Sequence, residues 1–327
     1  MTPATDAALP RVRPITGSDL PVVMSPAAAG VPIAHALGVR AGAIDQALVD
    51  QGGVLFRGYA VAGTEAFRGF ARGFGHPLVS YEFGSTPRSQ LADGVYSSTE
   101  YPAHQHIPLH NEQSYARDWP MKIWFHCQIA AAQGGETPIA DSRRVYQRVD
   151  AGIRRRFSER GLLYVRNYGN GLDVPWRRVF DTNDPAVVEA YCAAHAIAHE
   201  WTEDGELRTR QVAQAVARHP RTRDDVWFNQ AHLFHLSALE PAVREALLEA
   251  VDPEQLPRNV YYGDGTAIED AVLDEIRAVY AELQVVFPWQ AGDVVMLDNM
   301  LVAHGRTPFT GARKVIVAMA EPHGTGA

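Results

Sequence analysis

The sequence predicts a mostly β domain with flanking helices, in which a helical insert separates two groups of strands. Two observations lead to this fold class. Runs of strand-forming residues occur towards both ends of the chain, at 52–59, 121–131, 293–303 and 312–320. Much of the stretch between the second and third runs instead carries apolar residues at helical spacing. Strands on both sides of a helical stretch indicate one sheet domain with an insert, predicted at about 145–285.

Composition places the chain among ordinary globular enzymes. It has 327 residues, of which 46% are hydrophobic and 21% charged, so a sizeable core needs no disulfide support. This excludes a disordered or fibrous protein. The formal net charge of −8 lacks the basic surplus typical of nucleic-acid binding, so we expect no nucleic-acid partner. Cys127 and Cys192 have no CxxC spacing, which excludes a zinc knuckle or disulfide framework and fits a reducing cytosol.

The sequence predicts no membrane-spanning segment, and its N-terminal region predicts no secretion signal. No apolar run approaches the ~20 residues that span a bilayer, and the first residues lack a basic and then apolar pattern. We therefore expect a soluble, cytoplasmic protein with no membrane partner. Residues 1–32 contain six prolines, which predict an irregular N-terminal arm. No flexible linker divides the chain, so residues 1–327 are predicted to form a single domain.

The individual elements follow from local patterns. Residues 40–51 carry apolar residues at helical spacing, and 52–59 is typical of a buried strand. Thr64 is a plausible N-cap for a short helix at 64–74. The further elements, in chain order, are strands at 93–101 and 121–131, a helical pair at 141–160, a strand at 162–167, helices near 185–200 and 209–218, a strand at 226–228, helices near 238–251 and 266–285, and strands at 293–303 and 312–320.

The residues most informative about function are His110 and Glu112, which lie two positions apart. Side chains at that spacing on a strand face the same way, so an imidazole and a carboxylate can converge on one metal ion. His304 ends an apolar strand beside Gly305 and can supply a second imidazole. Two histidines and one carboxylate form the facial triad of non-haem Fe(II) oxygenases. The alternative is structural: His304 caps its strand, and His110 is a polar core residue.

A second group of residues suits an anionic co-substrate. Arg313 follows His304 by nine residues on the next predicted strand, and its guanidinium can fork onto a carboxylate such as that of 2-oxoglutarate. A bidentate co-substrate would take two open metal positions and O₂ the third. Thr137 could donate its hydroxyl to the same carboxylate, although its position after Gly134 and Gly135 by itself favours an ordinary turn residue.

Together these motifs resemble the taurine dioxygenase/clavaminate synthase superfamily. The resemblance is carried by HNE at 110–112, by GGETPIADSR with Thr137, and by HGRTPFTGAR with His304 and Arg313. The segments STEYP, IPLHNEQSY, PMKIWFHC, FNQAHLFH and GRTPF are similar to its SyrP-like branch, which occurs in nonribosomal peptide clusters. The resemblance covers most of the chain.

The resemblance implies a double-stranded β-helix, or jelly roll, with helices packed outside. It implies Fe(II) as the metal, with 2-oxoglutarate and O₂ as co-substrates. The iron ligands would be His110, Glu112 and His304. Arg313 would form the salt bridge to 2-oxoglutarate, with Thr137 beside it. The implied activity is hydroxylation of an amino-acid-derived small molecule in secondary-metabolite or nonribosomal peptide biosynthesis.

One position departs from the family pattern. In taurine dioxygenase and clavaminate synthase a second arginine, four residues after the 2-oxoglutarate arginine, meets the acid group of the substrate. Here that position is Val317, and Lys314 is expected on the opposite face of the strand. The substrate anion is then held by another residue, or there is none. An aminoacyl thioester on a peptidyl carrier protein has no free α-carboxylate and fits this loss, while a free amino acid remains the alternative. The basic triplet Arg154–Arg156 could attract an acidic carrier or be a solvated helix face.

Four residues are candidates for contact with the substrate. Glu100 could bind an amine, and Asn229, Gln230 and His232 could bond a polar substrate from the cavity wall. The alternative for the last three is a loop that ties the insert to the core. Other functions also stay open: the same cofactor chemistry ending in desaturation or cyclisation, a non-redox cupin-like metal enzyme, and a silent regulatory or carrier-binding protein.

Overall fold

The computed structural model describes residues 11–15, 17–80, 88–169 and 173–324. The strands are β1 (Arg11–Ile15), β2 (Ser18–Ser25), β3 (Gly53–Phe56), β4 (Gln90–Ala92), β5 (Val95–Ser97), β6 (Ile107–His110), β7 (Asp118–Ile129), β8 (Gln133–Gly134), β9 (Ile139–Asp141), β10 (Leu162–Tyr168), β11 (Ala198–Trp201), β12 (Leu207–Ala213), β13 (Val216–Arg218), β14 (Asp225–Trp227), β15 (Arg258–Tyr262), β16 (Val294–Asp298), β17 (Val302–Arg306), β18 (Phe309–Thr310) and β19 (Lys314–Gly324).

The helices are α1 (Ala34–Gln51), α2 (Gly63–Arg72), α3 (Ser142–Arg148), α4 (Ala151–Arg160), α5 (Trp176–Val179), α6 (Pro185–Ala194), α7 (Ala231–Phe234), α8 (Pro241–Ala250) and α9 (Asp270–Leu283). Short 3₁₀ helices occur at Leu236–Ala238 and Pro253–Gln255. Within the described ranges, no helix combines the length and the apolar character that crossing a bilayer requires.

Two β-sheets face each other at the centre of the fold. The larger has the strand order β1-β2-β3-β16-β7-β19-β5-β4, and the smaller has the order β6-β17-β9. Their strands pair antiparallel, except that β2 runs parallel to β3. Ile139 of β9 and Val302 of β17 are buried in the same cluster as Phe125 of β7 and Val315 of β19. The apolar core therefore lies between the sheets, as in the predicted jelly roll.

The other face of the larger sheet is covered by α1 and α2. Side chains alternate along a strand, so β7 and β19 send Trp124 and Ile316 to this face. There they lie in one cluster with Phe67 and Phe70, which α2 presents at helical spacing. The two helices predicted for this part of the chain are confirmed.

The N-terminal region differs from the irregular arm that its prolines predict. β1 and β2 form an antiparallel hairpin, and β2 then pairs with β3. Gly17 in the turn has a φ of +83°, which suits glycine. Val23 and Met24 are buried against the sheet, so hydrophobic contact holds the segment. β1 is an edge strand, where proline is tolerated. The prediction is therefore corrected for residues 11–15 and 17–25, while residues 1–10 and residue 16 lie outside the described ranges.

The insert carries most of the predicted helices but is not purely helical. It also contains a four-stranded antiparallel sheet in the order β11-β12-β10-β15. The helix predicted at 209–218 is wrong, because these residues lie in β12 and β13. Every second side chain of β12 is buried, but two of these are Thr209 and Gln211. The strand period is therefore invisible to a pattern based on hydrophobicity.

The insert packs against the segment that bears two of the predicted metal ligands, which are His110 at the end of β6 and Glu112 in the turn after it. Leu109 of β6 and Tyr115 shortly after it share a buried cluster with Tyr164 of β10 and Phe234 of α7. The ring centroids of Tyr115 and Phe234 are 5.2 Å apart. The insert thus supports β6 from the side.

Candidate active site

The three predicted metal-binding side chains lie together. His110 ends β6 and pairs directly with His304 of β17. Glu112 follows two residues later, and one ligand atom from each of the three side chains lies within 4.8 Å of the other two. The His304 ring centroid is 4.9 Å from that of Phe125, which places the cluster between the two sheets. Two imidazoles and a carboxylate in this arrangement fit a divalent transition metal with open coordination positions.

The hydrogen bonding of His110 also fits metal binding. Its Nδ1 lies 2.8 Å from the carbonyl oxygen of Pro108, which can only accept, so Nδ1 carries the proton. Burial, together with His304, lowers the pKa of His110 to about 3. The ring is therefore neutral, and its Nε2 keeps a lone pair for a metal. A backbone carbonyl on the other ring nitrogen is the usual way in which a metal-binding imidazole is oriented.

Glu112 forms a buried ion pair that the sequence did not predict. Arg88 Nη2 lies 2.7 Å from Glu112 Oε2, and both side chains are almost fully buried. Burial disfavours the charged carboxylate, but Arg88 and the two histidines outweigh it and hold the pKa of Glu112 well below its usual range. The carboxylate is therefore ionised, as a metal ligand must be. Arg88 precedes Glu112 by 24 residues, and no spacing rule connects them.

A cavity of about 380 Å³, including its solvent-open part, adjoins His110 and His304. Thr137 and Arg313, the predicted 2-oxoglutarate residues, both line it. Trp289 Nε1 donates to Thr137 Oγ1 over 3.1 Å, which holds the hydroxyl in place while its own proton can still be donated. The structure therefore brings the predicted co-substrate residues to the predicted metal cluster.

Arg313 enters the cavity as a cation. Its Nε donates to the carbonyl of Gly135 over 2.9 Å, and its Nη1 lies 3.4 Å from Ser98 Oγ. Burial and nearby Arg306 lower the pKa of Arg313 to about 10, so the guanidinium is still charged at neutral pH. Across the described ranges no carboxylate lies within 4.0 Å of it. Gly135 has a φ of +72°, and a Cβ there would lie 2.9 Å from Arg313 Cδ, so glycine makes room for the arginine.

Arg306 lines the same cavity but is used differently. Its two terminal nitrogens donate to the carbonyls of Tyr101, Pro102 and Gln105, at 2.7 to 3.0 Å. Burial lowers the pKa of this guanidinium. Arg306 therefore holds the segment between β5 and β6 against the cavity. The sequence pattern HGR places this arginine two residues after His304, but nothing in the pattern indicates that its side chain donates hydrogen bonds to backbone carbonyls.

Glu100 lies outside the cavity lining within the described part of the chain. It is exposed and accepts a hydrogen bond from Ser97 Oγ over 2.7 Å. Hydrogen bonds from Ser89 and Ser97 lower the pKa of its carboxyl. Ser98 and Thr99, just before it, do line the cavity. A contact between Glu100 and the substrate stays a prediction.

The other three predicted substrate residues are buried and bonded to the protein itself. Asn229 donates to the carbonyl of Ala215 over 2.7 Å. Gln230 Nε2 donates to the carbonyl of Asn111 over 2.8 Å, and His232 Nε2 lies 2.9 Å from the carbonyl oxygen of Leu109. Among the described residues that line the cavity, none of these three is found. Their contact with a substrate likewise stays a prediction.

The position that departs from the family pattern lies in the core. Val317 of β19 is fully buried and packs in the cluster that also contains Val315, a residue of the cavity wall. Lys314 is exposed, as expected. In the basic triplet, Arg154 stacks on the Tyr146 ring at 5.0 Å and Arg156 lies 3.6 Å from Glu269. Part of the charge of the triplet is therefore already used on the surface of the insert.

Comparison with known families identifies the chain. Residues 11–319 match the family model described as "Taurine catabolism dioxygenase TauD, TfdA family". The chain belongs to this family. The predicted superfamily is thus confirmed. So is the predicted enzyme class, an oxygenase that depends on Fe(II) and uses 2-oxoglutarate and O₂ as co-substrates.

Two relatives of known name are similar over three quarters of the chain. The "Dapdiamide synthesis protein DdaC" of Enterobacter agglomerans is 47% identical over 244 residues, 75% of this chain and 74% of the relative. A clavaminate synthase-like protein of Arabidopsis thaliana is 32% identical over 257 residues, with the same shares of each chain. Both are therefore relatives within the confirmed superfamily.

Solved structures show the same fold at low sequence identity. PvcB, titled an Fe, alpha-ketoglutarate dependent oxygenase from an isonitrile synthetic pathway, aligns with a TM-score of 0.56 and 18% identity over 95% of this chain and 91% of its own. AAD-2, solved in complex with Mn(II) and N-oxalylglycine, aligns with a TM-score of 0.53 and 14% identity over 95% and 96%. The predicted jelly-roll fold is confirmed.

Proposed function

We propose that this protein hydroxylates an amino-acid-derived substrate in the biosynthesis of a secondary metabolite. The observation that carries the proposal is the meeting of His110, Glu112 and His304 with a cavity lined by Arg313. A bound Fe(II) would supply the activation of O₂, for which conversion of 2-oxoglutarate to succinate and CO₂ provides the electrons. The protein would supply the geometry of the site and exclude water from it.

In this proposal the residues of the cavity have separate tasks. His110, Glu112 and His304 hold the metal through one nitrogen each and a carboxylate oxygen. Arg313 binds the distal carboxylate of 2-oxoglutarate, because it is a half-buried cation without a carboxylate partner in the described ranges. Thr137 adds a hydroxyl donor. Residues 1–327 act as one catalytic domain, in which the insert supports the metal-bearing strand.

Two observations support an amino-acid-derived substrate: the similarity to a named relative, and the residue at position 317. A relative at 47% identity is named for dapdiamide synthesis, and the motifs resemble the SyrP-like branch of nonribosomal peptide clusters. Val317 stands where related enzymes carry an arginine for the acid group of the substrate, and it is fully buried. We therefore favour an amino acid whose carboxyl group is tied up as a thioester on a peptidyl carrier protein.

A free amino acid is the competing substrate. The net charge of −8 would repel an acidic carrier, and in the basic triplet Arg156 is already near Glu269. Within the same cofactor chemistry, desaturation or cyclisation could replace hydroxylation, because the outcome depends on the pose of the substrate. A non-redox metal enzyme or a silent carrier-binding protein would form no succinate from 2-oxoglutarate.

The test is a turnover assay with purified protein, Fe(II), 2-oxoglutarate and O₂. Free amino acids are compared with the same residues loaded on a carrier domain, and Glu112→Ala serves as the inactive control. We expect succinate to form together with a product that has gained one oxygen, mainly on the carrier. Efficient turnover of a free amino acid with no gain from the carrier would overturn the tethered substrate. Absence of O₂-dependent succinate with every substrate would overturn the oxygenase proposal.

A further inference from the structure

The strand that ends at the metal ligand His110 lies at the edge of its sheet, and Glu112 follows in the turn just after it. β6 pairs with β17 on one side, and the sheet order β6-β17-β9 places no described strand on the other. Carbonyl groups in a buried edge need donors from elsewhere, because an unpaired buried carbonyl is costly. The metal-bearing segment from Leu109 to Glu112 obtains them from side chains.

Three side chains that are distant in sequence donate to three carbonyls of this segment, and the nearby Ser114 hydroxyl also donates to the carbonyl of Asn111, over 2.9 Å. His232 Nε2 lies 2.9 Å from the carbonyl oxygen of Leu109, and Gln230 Nε2 lies 2.8 Å from that of Asn111. Asn299 Nδ2 lies 2.9 Å from the carbonyl oxygen of Glu112. Each donor side chain belongs to a residue that is at most 4% exposed. The carbonyls flank or belong to the two metal ligands of the segment.

The donors come from two distant parts of the chain. Gln230 and His232 belong to the insert, whereas Asn299 lies in the turn between β16 and β17. Asn299 holds Glu112 at two points, since its Oδ1 also accepts from the backbone N–H of Glu112 over 2.7 Å. The same turn leads directly into the strand of His304. Asn299 therefore ties both halves of the metal cluster together.

The donors are themselves fixed by their surroundings. The backbone N–H of Gln230 donates to the Tyr164 hydroxyl over 2.9 Å, and the His232 ring lies 4.7 Å from that of Tyr280. Asn299 Nδ2 additionally donates to the carbonyl of Pro120 over 2.8 Å. Because each donor is anchored, it can set the position of the carbonyl that it bonds.

We propose that Gln230, His232 and Asn299 are positioning residues that fix His110 and Glu112 for metal binding. The inference rests on the metal assignment of the proposed function. It gives Gln230 and His232 a role other than the substrate contact that their sequence suggests, because their donors are already used on the metal-bearing segment. Loss of a group that orients metal ligands typically weakens metal binding by 10- to 100-fold.

The test compares two buried glutamines that differ in what they bond. Gln230 and Gln211 are both 4% exposed, and Gln211 Nε2 donates to a carbonyl, that of His195, over 2.9 Å in the sheet of the insert. Methionine is similar in volume and offers no donor. Mn(II) is titrated into the metal-free full-length protein and followed by electron paramagnetic resonance, and thermal unfolding is measured for each variant.

We expect Gln230→Met to raise the Kd for Mn(II) about tenfold and Gln211→Met to change it less than twofold, with similar losses of thermal stability. Asn299→Asp, which turns an oxygen towards the carbonyl of Glu112, should weaken Mn(II) binding further. If Asn299→Asp does not fold, the two glutamine variants still decide the matter.

Three results would overturn the inference. Gln230→Met could bind Mn(II) like the wild type, or raise only the KM for substrate, which would restore its role as a substrate contact. Both glutamine variants could weaken Mn(II) binding equally, which would make the effect a general loss of stability. A wild-type protein that binds no Mn(II) would remove the metal centre, and with it the proposed function as well.

Discussion

The co-substrate end of the cavity and the segment 229–232 look alike in sequence but differ in what their polar groups do. Both combine polar side chains with aromatic neighbours, and both are buried apart from Arg313, which is half-buried. Arg313 and Thr137 line the cavity and keep donors for an anion. Asn229, Gln230 and His232 spend theirs on backbone carbonyls. A buried polar side chain can bind a ligand only where the fold has not already used its hydrogen bonds.

The difference follows from the position of each region relative to the sheets. Arg313 precedes β19 and reaches the cavity past Gly135, whose missing Cβ leaves space for it. The segment 229–232 instead adjoins the side of β6 on which no described strand lies, where carbonyls need donors. Polar side chains beside a sheet edge can therefore bond its carbonyl groups, even where the sequence pattern predicts that they bind a ligand.

The largest expected effect concerns the metal ligands. His110→Ala, Glu112→Ala or His304→Ala should each abolish Fe(II)-dependent succinate formation, because the metal loses one of three ligands. Circular dichroism should show that the fold is retained. Near-normal activity in any one variant would remove that residue from the metal site.

The next largest effect should separate the two co-substrate residues. Arg313→Ala should raise the KM for 2-oxoglutarate by about two orders of magnitude, since losing a buried charge-assisted contact costs on the order of 2–5 kcal/mol. Thr137→Ala should raise it only about threefold to tenfold, because a neutral hydrogen bond contributes about 0.5–1.5 kcal/mol. Arg160→Ala, which breaks a surface ion pair with Asp264 in the insert, is the control and should leave this KM unchanged. A larger effect at Thr137 than at Arg313 would reverse the two roles.

A third prediction concerns a buried carboxylate whose hydrogen bonds are all made within the protein. Asp298 accepts hydrogen bonds from Lys122, His219 and the backbone N–H groups of Met300 and Leu301. Burial alone would raise the pKa of this carboxyl, but Lys122 and His219 lower it to about 2. A lowered pKa means that the stabilisation is present above about pH 4 and is lost as the pH falls towards 2.

Asp298→Asn should therefore lower the free energy of unfolding by roughly 2 kcal/mol at pH 7 and flatten its fall below pH 4. Urea unfolding at pH 7, 4 and 3 measures both changes. An asparagine variant that keeps the full acid dependence of the wild type would show that other carboxyl groups cause it.

The smallest expected effect on catalysis is at Asn229. Asn229→Ala should lower the free energy of unfolding by about 1–3 kcal/mol, because the carbonyl of Ala215 and the N–H of Ala231 lose their partner. The KM for substrate should change less than twofold. Urea unfolding and steady-state kinetics test the two statements, and a raised KM at unchanged stability would instead support a substrate contact.

The sequence by itself determined those parts of the site that depend on local spacing. The spacing of two residues predicted that His110 and Glu112 converge, and they do, although β6 ends at His110 and Glu112 lies in the turn after it instead of on the predicted strand. The spacing of nine residues predicted that Arg313 lies beside the strand that follows His304. Strand and helix periods predicted the strands on both sides of the insert and most helices of the insert, whereas the two facing sheets of the jelly roll were implied by the family resemblance. They failed for β12, whose buried face includes Thr209 and Gln211, and for the N-terminal hairpin, where prolines occupy a sheet edge.

Tertiary structure alone decided which polar side chains form hydrogen bonds or ion pairs within the protein and which can still bind a ligand. Arg88 meets Glu112 across 24 residues, and Asn299 meets it across 187, so no local pattern connects them. The partners of Gln230 and Arg306 are backbone carbonyls, which every residue carries and which leave no mark in the sequence. Such hydrogen bonds can be assigned only from the folded structure, because packing between distant segments decides which carbonyl lies beside which donor side chain.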